Sequence, residues 1–196
     1  MRAVLAAVVV LVAVTAGCGG TKTVTVTQTS TTVQTVTVTT TAPATTTTGP
    51  AEAAACTGDD LAGNFSVVPG SAGAGNIVYS LHLRNTSSSP CFVSGLPAVA
   101  LLDKNGSPLP THVSAAQPGQ ATAARIVLQS GDTAKADARF SPDVPSTGEQ
   151  QIGPCEPKAY VLRVTAPGGT VAAPISPPTA VCGHGSLSFS VFSSAG

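Results

Sequence analysis

The sequence predicts an all-β chain, an immunoglobulin-like antiparallel β-sandwich carried behind a signal peptide and a disordered Thr-rich stalk. Three observations predict it. Glycine and proline are plentiful, at 20 and 16 of 196 residues. Short alternating apolar segments recur beyond residue 56, and no stretch of about ten residues keeps its apolar side chains at helical spacing.

Residues 1–17 read as a lipoprotein signal peptide. Arg2 precedes an apolar run from Ala3 to Val14, closed by the small residues Ala16 and Gly17, which is the layout of a secretory leader. A membrane-spanning helix needs about 20 apolar residues, and this run passes at once into Gly19, Gly20 and threonines. Cys18 follows Ala16-Gly17, the small-small-Cys ending that offers a thiol for lipid transfer and a small-residue cleavage site. The bacterial lipobox prefers Leu or another aliphatic residue where Thr15 stands. A cleaved soluble product and an uncleaved leader are the alternatives. A lipidated Cys18 carries a diacylglyceryl group and often an N-acyl chain such as palmitate. Each buried CH₂ contributes about 0.8 kcal/mol, and anchoring becomes stable with more than one chain.

Residues 18–55 read as the lipidated cysteine and a Thr-rich flexible linker. Threonine alternates with valine at Thr23–Thr27 and Thr35–Thr39, then passes through Ala42-Pro43-Ala44 to Thr45–Thr48. Such a segment cannot bury enough apolar surface to offset its ordering entropy. A bare stalk and a stalk O-glycosylated on threonine both fit the composition. Residues 19–55 reach roughly 120 Å fully extended but only about 35 Å as a flexible coil. Either length lifts the domain off the bilayer.

The β-sandwich domain is assigned to residues 56–196. Its clearest strand is Ile77 to Leu83, with Ile77, Tyr79, Leu81 and Leu83 on one face and Ser80, His82 and Arg84 about the other, the signature of half-buried antiparallel geometry. Before it, Gly70–Gly75 reads as a hairpin loop. Ala98 to Leu102 enters a turn at Asp103-Lys104-Asn105-Gly106, where Asn-Gly is a strong turn signal. Arg125–Leu128 and Thr133–Phe140 follow. Tyr160–Val164 is expected to bury Tyr160, Leu162 and Val164, and Leu187–Val191 to bury Leu187, Phe189 and Val191. Roughly seven or eight such strands suggest two packed sheets. Trp is absent, so the core tryptophan of antibody domains is missing.

The five cysteines are Cys18, Cys56, Cys91, Cys155 and Cys182. An odd total leaves one over in an oxidising compartment, and lipidation of Cys18 resolves the remainder. The other four allow three connectivities, of which the sequence-local one, Cys56 with Cys91 and Cys155 with Cys182, is favoured. Each bridge then contributes roughly 3–4 kcal/mol by chain entropy. No Cys-x-x-Cys or His-x-x-x-His spacing supports a metal alternative.

The run Leu81-His82-Leu83-Arg84-Asn85-Thr86-Ser87-Ser88-Ser89-Pro90-Cys91-Phe92-Val93-Ser94-Gly95-Leu96-Pro97, continuing to Asp103 and Gly106, resembles the central signature of an actinobacterial lipoprotein domain, domain-of-unknown-function family 4232. Ile126-Val127-Leu128 before Gly131, Cys155 followed by Leu162-Arg163-Val164, and Val181-Cys182 with a closing strand fit as well. The resemblance covers nearly all of residues 56–196. Where the family commonly has Pro-Gly, this chain has Ser130-Gly131. The resemblance implies an envelope lipoprotein with a β-sandwich and implies no activity.

Catalytic and ligand signatures are sparse. The histidines are His82, on a strand's polar face, His112, in a Pro/Ser-rich connection, and His184, between two glycines; surface roles suit all three. The single methionine is Met1, which excludes a Met-rich copper(I) site. There is no Gly-x-Ser-x-Gly elbow, no phosphate loop and no recognisable catalytic triad. Asp59-Asp60 is the one adjacent carboxylate pair and suits a turn or helix cap. Asn64, Asn85 and Asn105 head N-glycosylation-like tripeptides, coincidental in a bacterial chain. Nine Lys and Arg, one of them Arg2 in the leader, face nine carboxylates without runs, so nucleic acid is not an expected partner.

The expectation is a non-enzymatic, lipid-anchored protein on the outer face of the cell membrane. It needs no cofactor, meets the membrane through its anchor, and presents its sandwich to an envelope or extracellular partner for binding or scaffolding. An envelope metal carrier or enzyme is the rival, and requires two or more of His82, His112, His184, Asp59 and Asp60 to converge. In a third reading the stalk is the functional part and the domain a stable cap.

Overall fold

Two-residue alternation of apolar and polar side chains builds the sheets. The computed structural model describes residues 52–119 and 125–195; the leader, Cys18 and the stalk up to Ala51 lie outside the described residues. Among the described residues twelve strands form: β1 (Ala54–Ala55), β2 (Leu61–Val67), β3 (Ile77–Asn85), β4 (Cys91–Val93), β5 (Val99–Leu102), β6 (His112–Ala115), β7 (Ile126–Leu128), β8 (Thr133–Phe140), β9 (Ala159–Ala166), β10 (Gly169–Thr179), β11 (Ser186–Phe189) and β12 (Ser193–Ser194). One sheet has the order β1-β4-β7. The other runs β5-β9-β10-β2-β3-β8-β11-β6, with β12 on β8. The sheets pack as a sandwich approaching a barrel, as the all-β reading expects. The pairing is mixed, however, because β1–β4, β10–β2 and β11–β6 are parallel.

β3 sits at the centre of the larger sheet, antiparallel to β2 and β8. Its Tyr79, Leu81 and Leu83 are buried, on the face that the alternation assigns to the core. Opposite them β8 contributes only Ala134, Ala136 and Ala138, all fully buried. Those small side chains leave room for an aromatic cluster in place of the missing tryptophan. Phe65 lies 5.2 Å from Tyr79 and 6.1 Å from Phe189, and Tyr79 lies 5.2 Å from Phe140, all in tilted pairs, which is the separation that aromatic pairs favour. The Tyr79 hydroxyl donates to the Pro177 carbonyl at 3.0 Å, and burial pushes its pKa up.

Several elements depart from the sequence reading. The Pro/Ser-rich connection that holds His112 is an edge strand, β6, made by register pairing with β11. β10 goes unrecognised because Pro174, Pro177 and Pro178 forbid continuous ladder donation; its register with β9 shifts between Pro174 and Thr179. That shift stands opposite Tyr160, so alternation breaks there: Tyr160 is exposed and Ala159 is buried. β11 ends at Phe189, and Phe192 rather than Val191 fills the core beyond it.

Asn85 ends β3 wholly buried. Its Nδ2 donates to the carbonyls of Ser89 at 2.8 Å and Leu128 at 3.0 Å, and its Oδ1 accepts from the Ser87 amide at 2.9 Å and hydroxyl at 2.8 Å. One amide thus fixes the 86–90 loop and ties β7 to the larger sheet. Removing it leaves these partners unpaired, and a buried hydrogen bond is worth about 0.5–1.5 kcal/mol. Asn85→Ala should therefore cost roughly 2–5 kcal/mol, read as a lowered urea midpoint; an unchanged midpoint would show that water replaces the amide.

Candidate functional site

A grouping of polar side chains lies where the β8–β9 connection, residues 141–158, meets the turn before β11. Among the described residues two disulfides form, Cys56–Cys91 and Cys155–Cys182, with Cα separations of 4.8 and 5.6 Å. The second joins the 141–158 connection to the turn Cys182–Gly185. Gly183, His184 and Gly185 all have left-handed backbone, with φ of 70°, 55° and 76°. Glycine takes that conformation freely, whereas an L side chain pays about 1–2 kcal/mol for it. The Gly-His-Gly order makes the turn accessible, and the Gly185 amide closes it on the Val181 carbonyl at 3.1 Å.

Glu149 holds the turn to the connection. Its Oε2 accepts from the Ser146 amide and its Oε1 from the His184 amide, both at 2.6 Å. Gln151 adds bonds from Nε2 to the Ser146 carbonyl at 3.1 Å and the Glu149 carbonyl at 3.0 Å. Only 1% of the Glu149 side chain is exposed. Its carboxyl pKa falls from 4.5 to about 2, chiefly because the His184 amide, then the Ser146 amide, bonds the charged form, against the opposing effect of burial. Since the folded value lies below the unfolded one, this stabilisation is whole above pH 4.5 and is lost as pH falls through about 2. The urea midpoint should therefore drop across that interval, and drop less in Glu149→Gln; parallel curves for the two proteins would refute the assignment.

Beside Glu149 lie two further ligand-type groups. His184 Nδ1 is 3.9 Å from Glu149 Oε1 and 3.7 Å from Glu156 Oε1. Among the described residues this is the one trio of His, Cys, Asp or Glu side chains whose donor atoms come together, all within 4.8 Å. Of the residues singled out from the sequence it contains His184 alone. His82 faces outward from β3 with Nδ1 3.2 Å from Asn64 Oδ1. His112 opens the edge strand β6. Asp59 and Asp60 lie in a single 3-10 turn, Gly58–Asp60, where Asp60 Oδ2 accepts from the Thr57 amide at 2.8 Å and hydroxyl at 2.7 Å. Those bonds, the amide first, lower the Asp60 pKa, so the carboxylate serves as a cap.

Glu149 and Glu156 were missed by the sequence reading. Ser146-Thr147-Gly148-Glu149 does carry the Ser-x-x-Glu spacing of a capping box. Glu156 adjoins Cys155, and His184 stands two residues beyond Cys182, so the disulfide brings that pair together. A second, shallower feature is a groove of about 590 Å³ on the outer face, lined by Asn64, His82, Arg84, Asp132 and Thr133 among others. Arg84 Nε donates there to the Gly131 carbonyl at 3.1 Å, which fixes the arginine to its own sheet.

A family model described as "Domain of unknown function (DUF4232)" matches residues 56–192. The chain belongs to the DUF4232 family. No curated protein and no solved structure matches it. The DUF4232 boundaries coincide with physical ones, since Cys56 and Phe192 are the first and last buried core residues. The motif residues that carry the likeness have fold duties: Asn85 ties β7 to β3, Cys91 is bridged to Cys56, and the Gly95 carbonyl accepts from the Phe192 amide at 3.1 Å. At Ser130-Gly131, the Asp132 amide donates to the Gln129 carbonyl at 3.0 Å and Gly131 has φ of 89°. That is a type II turn, in which proline is common but not required before the glycine. The departure from the family's Pro-Gly is accordingly mild.

Proposed function

We propose that this DUF4232 protein is a non-enzymatic, lipid-anchored envelope protein whose stalk presents the sandwich for binding or scaffolding. The observation that supports it is the cysteine arithmetic. Four of the five cysteines pair in the folded domain, as suits an exported chain, and the fifth is Cys18 in its small-small-Cys setting. On this reading acyl chains at Cys18 hold the protein to the outer face of the membrane and residues 19–55 space the domain from it. The contact surface is the loop end, where Val144 and Ile152 are exposed at 54% and 86%; loops on a rigid sandwich commonly carry recognition.

Intact mass of the native protein extracted from membranes tests the reading. Loss of residues 1–17, added acyl mass on Cys18 and a gain of two hydrogens per disulfide on reduction are the expected results, with no acyl mass on Cys18→Ala. A mass without lipid on Cys18 would overturn the anchor. An envelope metal carrier is the second reading. It is favoured by the Glu149, Glu156 and His184 trio, not by the histidine and aspartate set expected from the sequence.

A further inference from the structure

We infer that Glu149, Glu156 and His184 form a binding site for one divalent first-row metal ion, of which Zn²⁺ is the type. Two stretches of chain supply the donors, the 141–158 connection with Glu149 and Glu156 and the turn with His184, and the Cys155–Cys182 bridge fastens them together. Such covalent support pre-organises a ligand set.

The charge balance asks for a cation. The Glu149 side chain is 1% exposed, and that of Glu156 beside it is 17% exposed. Buried charges are normally paired or bound to metal. Among the described residues, His184 is the one basic side chain within 4.0 Å of either carboxylate. The donors that Glu149 does have are uncharged amides, so they orient the carboxylate without neutralising it.

An imidazolium bridging the two carboxylates is the simpler alternative, and the distances oppose it. At 3.7 and 3.9 Å the ring nitrogen is beyond hydrogen-bond reach of both oxygens. The gap suits an intervening ion better. Oxygen and nitrogen ligands lie about 2.0–2.2 Å from Zn²⁺, so two ligands at a tetrahedral angle stand roughly 3.4 Å apart. The donor atoms lie within 4.8 Å of one another, so closing on one ion takes a turn of the His184 ring, 53% exposed, and a swing of the Glu156 carboxylate, 17% exposed, toward Glu149. Glu149 cannot move so freely, and its amide bonds make it the fixed ligand.

Two carboxylate oxygens and one imidazole nitrogen suit zinc or manganese rather than copper(I), which prefers sulfur. Three protein ligands also leave a position open for water or for a donor from a partner. The site is independent of the lipid anchor.

The test is titration of the full chain in detergent with Zn²⁺ against a chromophoric chelator. One ion should bind per chain with micromolar affinity. His184→Gly removes the ligand and gives the turn a residue suited to its positive φ, so the fold is kept, and Glu156→Gln leaves the amide-bonded Glu149 untouched. Each should weaken binding at least about tenfold, while His82→Ala and His112→Ala leave it unchanged. Absence of binding, or binding that survives both His184→Gly and Glu156→Gln, overturns the proposal. Thermal melts of the four variants in chelator establish that any loss comes from the ligand and not from unfolding.

Discussion

Gly185→Ala should lower the stability of the domain by about 3 kcal/mol or more, enough to unfold a large fraction of a marginally stable chain. Two effects act together. Gly185 has φ of 76°, which costs an L side chain about 1–2 kcal/mol. An added Cβ would also overlap the carbonyl oxygen of Pro110, and would lie 2.5 Å from its carbon and 3.0 Å from the Thr111 nitrogen. Those neighbours are backbone, so no rotamer change relieves the clash. The 110–111 segment must shift instead, just where β6 begins its parallel register with β11, Ser186 opposite His112. Gly70→Ala provides the control, because Gly70 has the same φ of 76° with nothing within 4 Å of its added Cβ. It isolates the conformational cost, expected near 1 kcal/mol. Urea denaturation of both variants decides the matter: equal losses would mean that the approach of Pro110 to Gly185 contributes nothing.

The contrast between those glycines marks what was legible in the sequence. A glycine followed by a strand announces a turn, but not which backbone will lie against it. The same holds elsewhere in the domain. β3 and β8 were legible because Tyr79, Leu81, Leu83 and Thr133–Phe140 obey strict alternation between one wet and one dry face. β10 was not, since its prolines mask a strand that lies between β9 and β2 and shifts its register with β9 midway. β6 was not either, because three of its four residues are exposed and its existence depends on a neighbour distant in sequence. The site was hidden for a related reason. Glu149 and Glu156 look like ordinary loop carboxylates, and they gain meaning only when Cys155 is joined to Cys182 and the left-handed turn presents the His184 amide. Asn85 shows the converse case. Its signature was visible in the motif, and the structure supplies the cause: a buried amide with four hydrogen bonds.

The two disulfides should separate into one that holds the fold and one that holds the site. Cys56 and Cys91 are 1% and 4% exposed within the main core, whereas Cys155 and Cys182 form a small satellite cluster with Ala180. Sequence separations of 35 and 27 residues give similar chain-entropy contributions, roughly 3.5–4 kcal/mol each. Packing makes the difference. Cys56→Ala with Cys91→Ala also vacates sulfur volume in the core and frees β1 from β4, so a total loss of about 4–6 kcal/mol is expected, which commonly abolishes folding of a small exported domain. Cys155→Ala with Cys182→Ala should lose roughly 3.5 kcal/mol and leave the sheets intact. Hydrogen exchange then reads the location. In the second variant, protection should fall in residues 141–158 and 182–185 while β3 and β8 stay protected, because local openings follow cooperative units. Uniform loss of protection in that variant would mean that the loop end and the sandwich unfold as one, and the Glu149 staple would then be a determinant of the whole fold rather than of one end.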